Sequence, residues 1–90
     1  MHDDKDALLK RINRAAGQVR GIGQMVEDDR YCLDILHQMS AIRAALGRIE
    51  DDILKRHANH CVEEAIQSGD AAQQREKFTE LVDLMRKAKR

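Results

Sequence analysis

From Cys32 onward, apolar residues recur as Cys32, Ile35, Met39, Ile42, Leu46, Ile49 and Ile53, at gaps that alternate between 3 and 4. That spacing draws one stripe along an α-helix with a near-heptad period, and a strand, whose sides alternate every second residue, cannot present it. Past Ile53 the stripe shifts by one residue to Leu54, His57 or Ala58, Cys61 and Ala65. The chain contains no proline to break the run. Only Gly47 interrupts it, at about 1 kcal/mol relative to alanine. A helix over roughly 30 to 67 follows, bounded by the glycine of Ser68-Gly69-Asp70. Such a helix is about 57 Å long at 1.5 Å per residue, longer than a chain of 90 residues folded on itself is wide. Its seam needs a cover, most simply an antiparallel bundle with a second copy.

Two shorter helices flank it. Leu8, Ile12, Ala15, Val19, Ile22 and Val26 lie on one face of a helix over about 5 to 27. The acidic run Glu27-Asp28-Asp29 then offers an N-cap carboxylate to the long helix. Asp70 and Gln73 have the spacing of a capping box, and Phe78, Leu81, Val82, Met85 and Ala88 give a third helix, about 71 to 88, a short apolar face. The expected fold class is therefore all-α: a single domain, 1–90, with a three-helix protomer in an antiparallel helical-bundle dimer. One tyrosine, one phenylalanine and no tryptophan, with few β-branched residues, exclude a β-rich fold. Two cysteines are too few for a secreted disulfide scaffold, and the N-terminus MHDDKDALLK has no apolar signal segment, so the chain reads as cytoplasmic. No apolar run approaches the roughly 18 to 20 residues of a membrane span, and no membrane partner is expected.

His57 and Cys61 stand at i and i+4, on one helix face and close enough to share an ion. The other cysteine, Cys32, lies 25 residues from His57 on the same helix, about 38 Å away by the helical rise. One chain cannot gather the three, but in an antiparallel dimer Cys32 of one copy meets His57 and Cys61 of the other. Two thiolates and one imidazole suit Cu(I), or Zn(II) with a fourth ligand, for which His2 and His60 are available. On spacing alone the commoner reading of such residues is plainer: a small buried cysteine and a polar histidine beside it.

The charge balance, 16 basic against 16 acidic residues, gives no overall pull toward nucleic acid. Locally, Lys10, Arg11 and Arg14 fall within about 100° of arc on helix one, and Arg43 and Arg48 add charge on helix two. That cluster is able to meet a DNA backbone, although a solvated face is the usual meaning of charges on a helix. No pair of brief helices joined by a tight turn suggests a helix-turn-helix, and Gly21-Ile22-Gly23 lacks the strand and third glycine of a nucleotide loop. No oxyanion-type element or substrate pocket is evident, so no enzyme is expected.

Taken together, Leu9-Lys10-Arg11-Ile12-Asn13-Arg14, Gly17-Gln18-Val19-Arg20-Gly21-Ile22, the run from Met25 to Leu36, the run from Gln38 to Leu46, and His57-Ala58-Asn59-His60-Cys61-Val62 resemble the CsoR/RcnR family of all-helical bacterial transcriptional repressors. The resemblance spans nearly the whole chain. It implies a dimer of dimers, a homotetramer that binds operator DNA through residues matching Lys10, Arg11, Arg14, Arg43 and Arg48 and leaves it when an inducer binds. It implies Cys32, His57 and Cys61 as metal ligands, with Tyr31 and Glu80 (Glu76 in an alternative alignment) as the pair that hydrogen-bonds the free nitrogen of the ligand histidine. Copper-sensing members fit this set best. Nickel and cobalt sensors add an N-terminal histidine, for which His2 stands near; formaldehyde sensors carry a proline at the N-terminus and lack the second cysteine; persulfide sensors keep both cysteines and lack the histidine. The inducer implied is Cu(I), with Ni(II) as the alternative, or a thiol-redox or persulfide response of Cys32 and Cys61.

Overall fold

A computed structural model of the chain describes residues 5–88, and His2 lies outside them. It contains α1 (Lys5–Glu27), α2 (Cys32–Ser68) and α3 (Ala71–Ala88), and no strand among the described residues. α2 runs unbroken through Gly47. Among the described residues, no helix is long and apolar enough to cross a membrane. The chain forms two compact units, one ending at Ile49 and one beginning at Glu50, so that α2 gives its first half to one and its second half to the other.

In the first unit, α1 and the start of α2 bury Leu8, Ala15, Ile42 and Ile49. Residues 11–18 of α1 and 41–49 of α2 line a common groove, as expected of a hairpin of helices with a short connection. That connection departs from the expected one. The acidic run does not cap α2; it closes α1. The Asp29 amide donates to the Val26 carbonyl (3.1 Å) and the Arg30 amide to the Met25 carbonyl (2.9 Å), a Schellman closure with Asp29 in the left-handed region at φ 54°. The first intrahelical acceptor of α2 is the Tyr31 carbonyl, which takes the amides of Asp34 and Ile35, so α2 starts at Cys32 rather than at 30. Aspartate tolerates the left-handed basin better than most residues, which is why this run can end a helix as well as begin one.

Much of the apolar stripe stays uncovered in the single chain. Val19, Val26, Met39 and Leu46 are all exposed, although they share the periodicity of the buried positions. The period marks which side of a helix is apolar, and the buried subset is only what one chain can cover by itself.

In the second unit, the rest of α2 packs against α3 around Cys61 and Ala65, both buried. Leu81, Val82 and Leu84 are half-buried, whereas Phe78 and Met85, expected on the packed face, are exposed. The turn between the helices is held by Gly69, at φ 64°, and by Asp70, whose Oδ1 accepts the Ala72 amide at 3.0 Å. The glutamine that reaches back is Gln74 rather than Gln73.

Positive φ at both turns yields two stability predictions of opposite sign. A Cβ at Gly69 would meet open space, so Gly69→Ala is penalised through its backbone alone, by about 1 kcal/mol. Asp29→Gly relieves the same kind of strain and is expected to raise stability by a few tenths to about 1 kcal/mol. Thermal unfolding monitored by circular dichroism reads both; midpoints that move in the same direction would contradict this account.

Candidate metal centre

α2 presents His57 and Cys61 one turn apart, and α3 brings Glu80 to the same place. The ligand atoms of these three residues lie within 4.8 Å of one another. Cys61 Sγ is 3.4 Å from His57 Nε2, and the same nitrogen is 3.7 Å from Glu80 Oε1. Cys61 is buried, at 4% exposure, while the His57 and Glu80 side chains are 41% and 45% exposed, so the group opens to solvent on its imidazole and carboxylate side. The other carboxylate oxygen of Glu80 is 3.7 Å from Lys77 Nζ. Glu76 is not in the group.

A sulfur and a nitrogen 3.4 Å apart have the bite of one metal ion with bonds of about 2.0 to 2.3 Å. Glu80 Oε1 lies 3.7 Å from that same Nε2, so the thiol and the carboxylate both face one ring nitrogen of His57. The donor set therefore fits a soft cation.

The remaining candidates are placed elsewhere. Cys32 is exposed at the first position of α2, and Tyr31, 66% exposed, precedes it; both belong to the first unit. His60 pairs with Glu64 along α2, Nε2 to Oε1 at 3.2 Å. Of the expected cations, Arg11, Arg14 and Arg48 line one groove of about 330 Å³ in the first unit, with Gln18 among them. Lys10 and Arg43 are exposed and outside that lining. Gln74 and Lys77 are not legible in the sequence, because an uncharged amide or a lone lysine on a helix surface carries no periodic or motif signal, and Gln18 stands there only within a family motif, with no role of its own.

An all-helical chain that gathers a thiol, an imidazole and a carboxylate in one unit, and lines a groove with three guanidinium groups in the other, has the parts of a ligand-responsive regulator. It belongs to the metal-sensitive transcriptional repressors, whose family pattern matches residues 4–87. This is a family of repressors, not of enzymes. The chain is 49% identical over 84 residues to the copper-sensing transcriptional repressor CsoR of Bacillus subtilis (strain 168), covering 93% of this chain and 80% of that protein. It is 46% identical over 65 residues to the copper-sensing transcriptional repressor RicR of Mycobacterium tuberculosis (strain ATCC 25618 / H37Rv), covering 72% of this chain and 68% of that one. Among solved structures it is similar to the copper-sensing repressor CsoR with Cu(I) from Geobacillus thermodenitrificans NG80-2, with a TM-score of 0.85, 43% identity, and coverage of 100% of this chain and 91% of that chain. It is also similar to the nickel-responsive transcriptional regulator InrS, with a TM-score of 0.82, 30% identity, and coverage of 98% and 96%.

Proposed function

We propose that this repressor holds operator DNA when metal-free and lets go when Cu(I) is held by His57 and Cys61 together with Cys32 from a second copy of the chain. The observation that carries the reading is the approach of Cys61 Sγ to His57 Nε2 at 3.4 Å. When bound, Cu(I) supplies a soft centre that is satisfied by two thiolates and one imidazole, without a fourth ligand. Cys32 and Cys61 bind as thiolates and give up their protons. His57 offers a ring nitrogen to the site, and Glu80, 3.7 Å from Nε2, together with Tyr31 of a neighbouring copy holds the imidazole and ties the ligand helix to α3.

Operator contact falls to Arg11, Arg14 and Arg48 in the groove, joined by the exposed Lys10 and Arg43 of the same unit. These contacts go mainly to phosphates, so affinity depends steeply on salt although the chain's formal charge is zero. Two protomers pair along α2, and two dimers make the tetramer; the exposed Leu36, Met39 and Leu46 support an assembly that covers them. The protein works in the cytoplasm, where the operator is and where thiols stay reduced. A coupling of about 1 to 3 kcal/mol per site, acting at several sites of one assembly, is enough to empty an operator.

Anaerobic titration of the reduced protein on a labelled fragment of its own promoter tests this. About one Cu(I) per protomer is expected to release the DNA, with Ni(II) run in parallel having no such effect. Release by Ni(II) alone would replace this reading with a nickel sensor that recruits His2 or His60. Release by an oxidant or a persulfide without metal would replace it with a thiol switch of Cys32 and Cys61.

A further inference from the structure

Glu80 meets His57 only if α3 lies on α2 in one register, because a roll of one residue turns a helix face by about 100°. The last four carbonyls of a helix have no amide partner within it, and that of Ala65 belongs to this set in α2. Here it is satisfied twice. Ser68 Oγ donates to it from within α2 at 2.7 Å, and Gln74 Nε2 donates to it from the first turns of α3 at 3.1 Å. Ala65 is one turn beyond Cys61, and both are buried. Gln74, Lys77 and Leu81 share a groove with Val62, Ala65 and Ile66, so this side of α3 is the side laid on α2.

The geometry points to Gln74 as a positioning residue for the metal response: its side-chain amide, donating to the Ala65 carbonyl, sets the register of α3 in which Glu80 reaches His57. Six residues separate Gln74 from Glu80, about 9 Å of helical rise, so an amide fixed at the start of α3 carries its register directly to the carboxylate. Lys77 has a different task. Its ammonium holds the second oxygen of Glu80 and orients the carboxylate within α3, whereas Gln74 orients α3 on α2. The proposal deepens the copper reading and rests on it for its effect on DNA, but its effect on His57 exists without metal.

Gln74→Glu is nearly isosteric and sets an acceptor against the Ala65 carbonyl in place of a donor; Gln74→Met removes the donor without adding charge. Two quantities decide the matter: the imidazole nitrogen resonances of His57 in the metal-free protein at fixed pH, and the fold-loss of operator affinity caused by Cu(I). Both Gln74 variants are expected to move the His57 resonances toward those of Glu80→Gln. Coupling between sites is typically worth about 5- to 150-fold, and the Cu(I) effect on DNA is expected to shrink by about tenfold in each variant. The double variant Gln74→Glu/Glu80→Gln should lose no more than Glu80→Gln alone, since both remove one contact. Wild-type His57 resonances in both Gln74 variants, or losses that multiply in the double variant, would overturn the assignment. If the wild-type protein does not release DNA with Cu(I), the copper reading fails, and the metal-free resonances still decide the role of Gln74.

Discussion

In a Cys61→Ser variant, Cu(I) is expected to leave the operator complex intact, with DNA affinity remaining at its metal-free value. Cys61 is the buried donor of the group, 3.4 Å from His57 Nε2, and a hydroxyl in its place is a poor ligand for a soft ion. Loss of an outer hydrogen-bond partner typically costs about 10- to 100-fold in metal affinity, and loss of the thiolate itself is expected to exceed that range. Competition with a Cu(I) chelator measures the affinity, and fluorescence anisotropy of labelled DNA measures the release. Glu80→Gln provides the contrast: it should lose no more than about 10- to 100-fold in Cu(I) affinity, and at saturating Cu(I) still lose much of the release, because its carboxylate meets His57 without being a ligand that a soft metal needs. A Cys61→Ser protein that dissociates from DNA at the wild-type Cu(I) level would remove Cys61 from the site.

The second large effect is expected in the arginine-lined groove. Reversing charge at Arg14 and Arg48 together puts two carboxylates into a groove that lies in every copy of an assembled repressor. Proteins with several phosphate contacts lose about 10³- to 10⁵-fold in affinity when salt rises from about 50 to 200 mM, and the double reversal is expected to cost about 10³-fold or more at the lower salt. Neutral replacements, Arg14→Ala or Arg48→Ala, should each flatten the salt slope by about 1 or more, according to how many copies touch DNA. Metal affinity should not change, since the groove's lining includes none of Cys32, His57 and Cys61. Operator affinity within a factor of about two of wild type in the double reversal would send the DNA contact elsewhere.

The sequence is most informative about the fold where one physical signal acts alone. The near-heptad stripe of α2 specifies a helix, and Ile42 and Ile49, seven apart on it, are buried. The exposure of Leu46, midway between them on the same stripe, is not readable from the period, because hydrophobicity does not say whether the partner surface belongs to the same chain. At the first turn two signals compete. An acidic residue between helices serves as an N-cap or, in the left-handed basin, as a helix end, and only the backbone of Asp29 shows which. At the candidate site, the approach of Cys61 to His57 follows directly from their i, i+4 spacing. Glu80 lies beyond a turn and came from family resemblance, since no spacing rule relates residues on different helices. Gln74 was invisible for a further reason: its bond is to a main-chain carbonyl, and every residue has one of those.

Each unit pairs helix segments that are neighbours in sequence, with only residues 28–31 or Gly69 and Asp70 between them. The loops to be closed are short and their entropic cost is small, and helical arrangements with such local contacts fold in microseconds to milliseconds. The chain also contains no proline, so no slow isomerisation about a prolyl bond delays it. Within one copy, then, no long loop has to close before the helices of a unit meet. Covering the exposed Met39 and Leu46 is the concentration-dependent step, and its rate rises with how many copies the cell holds.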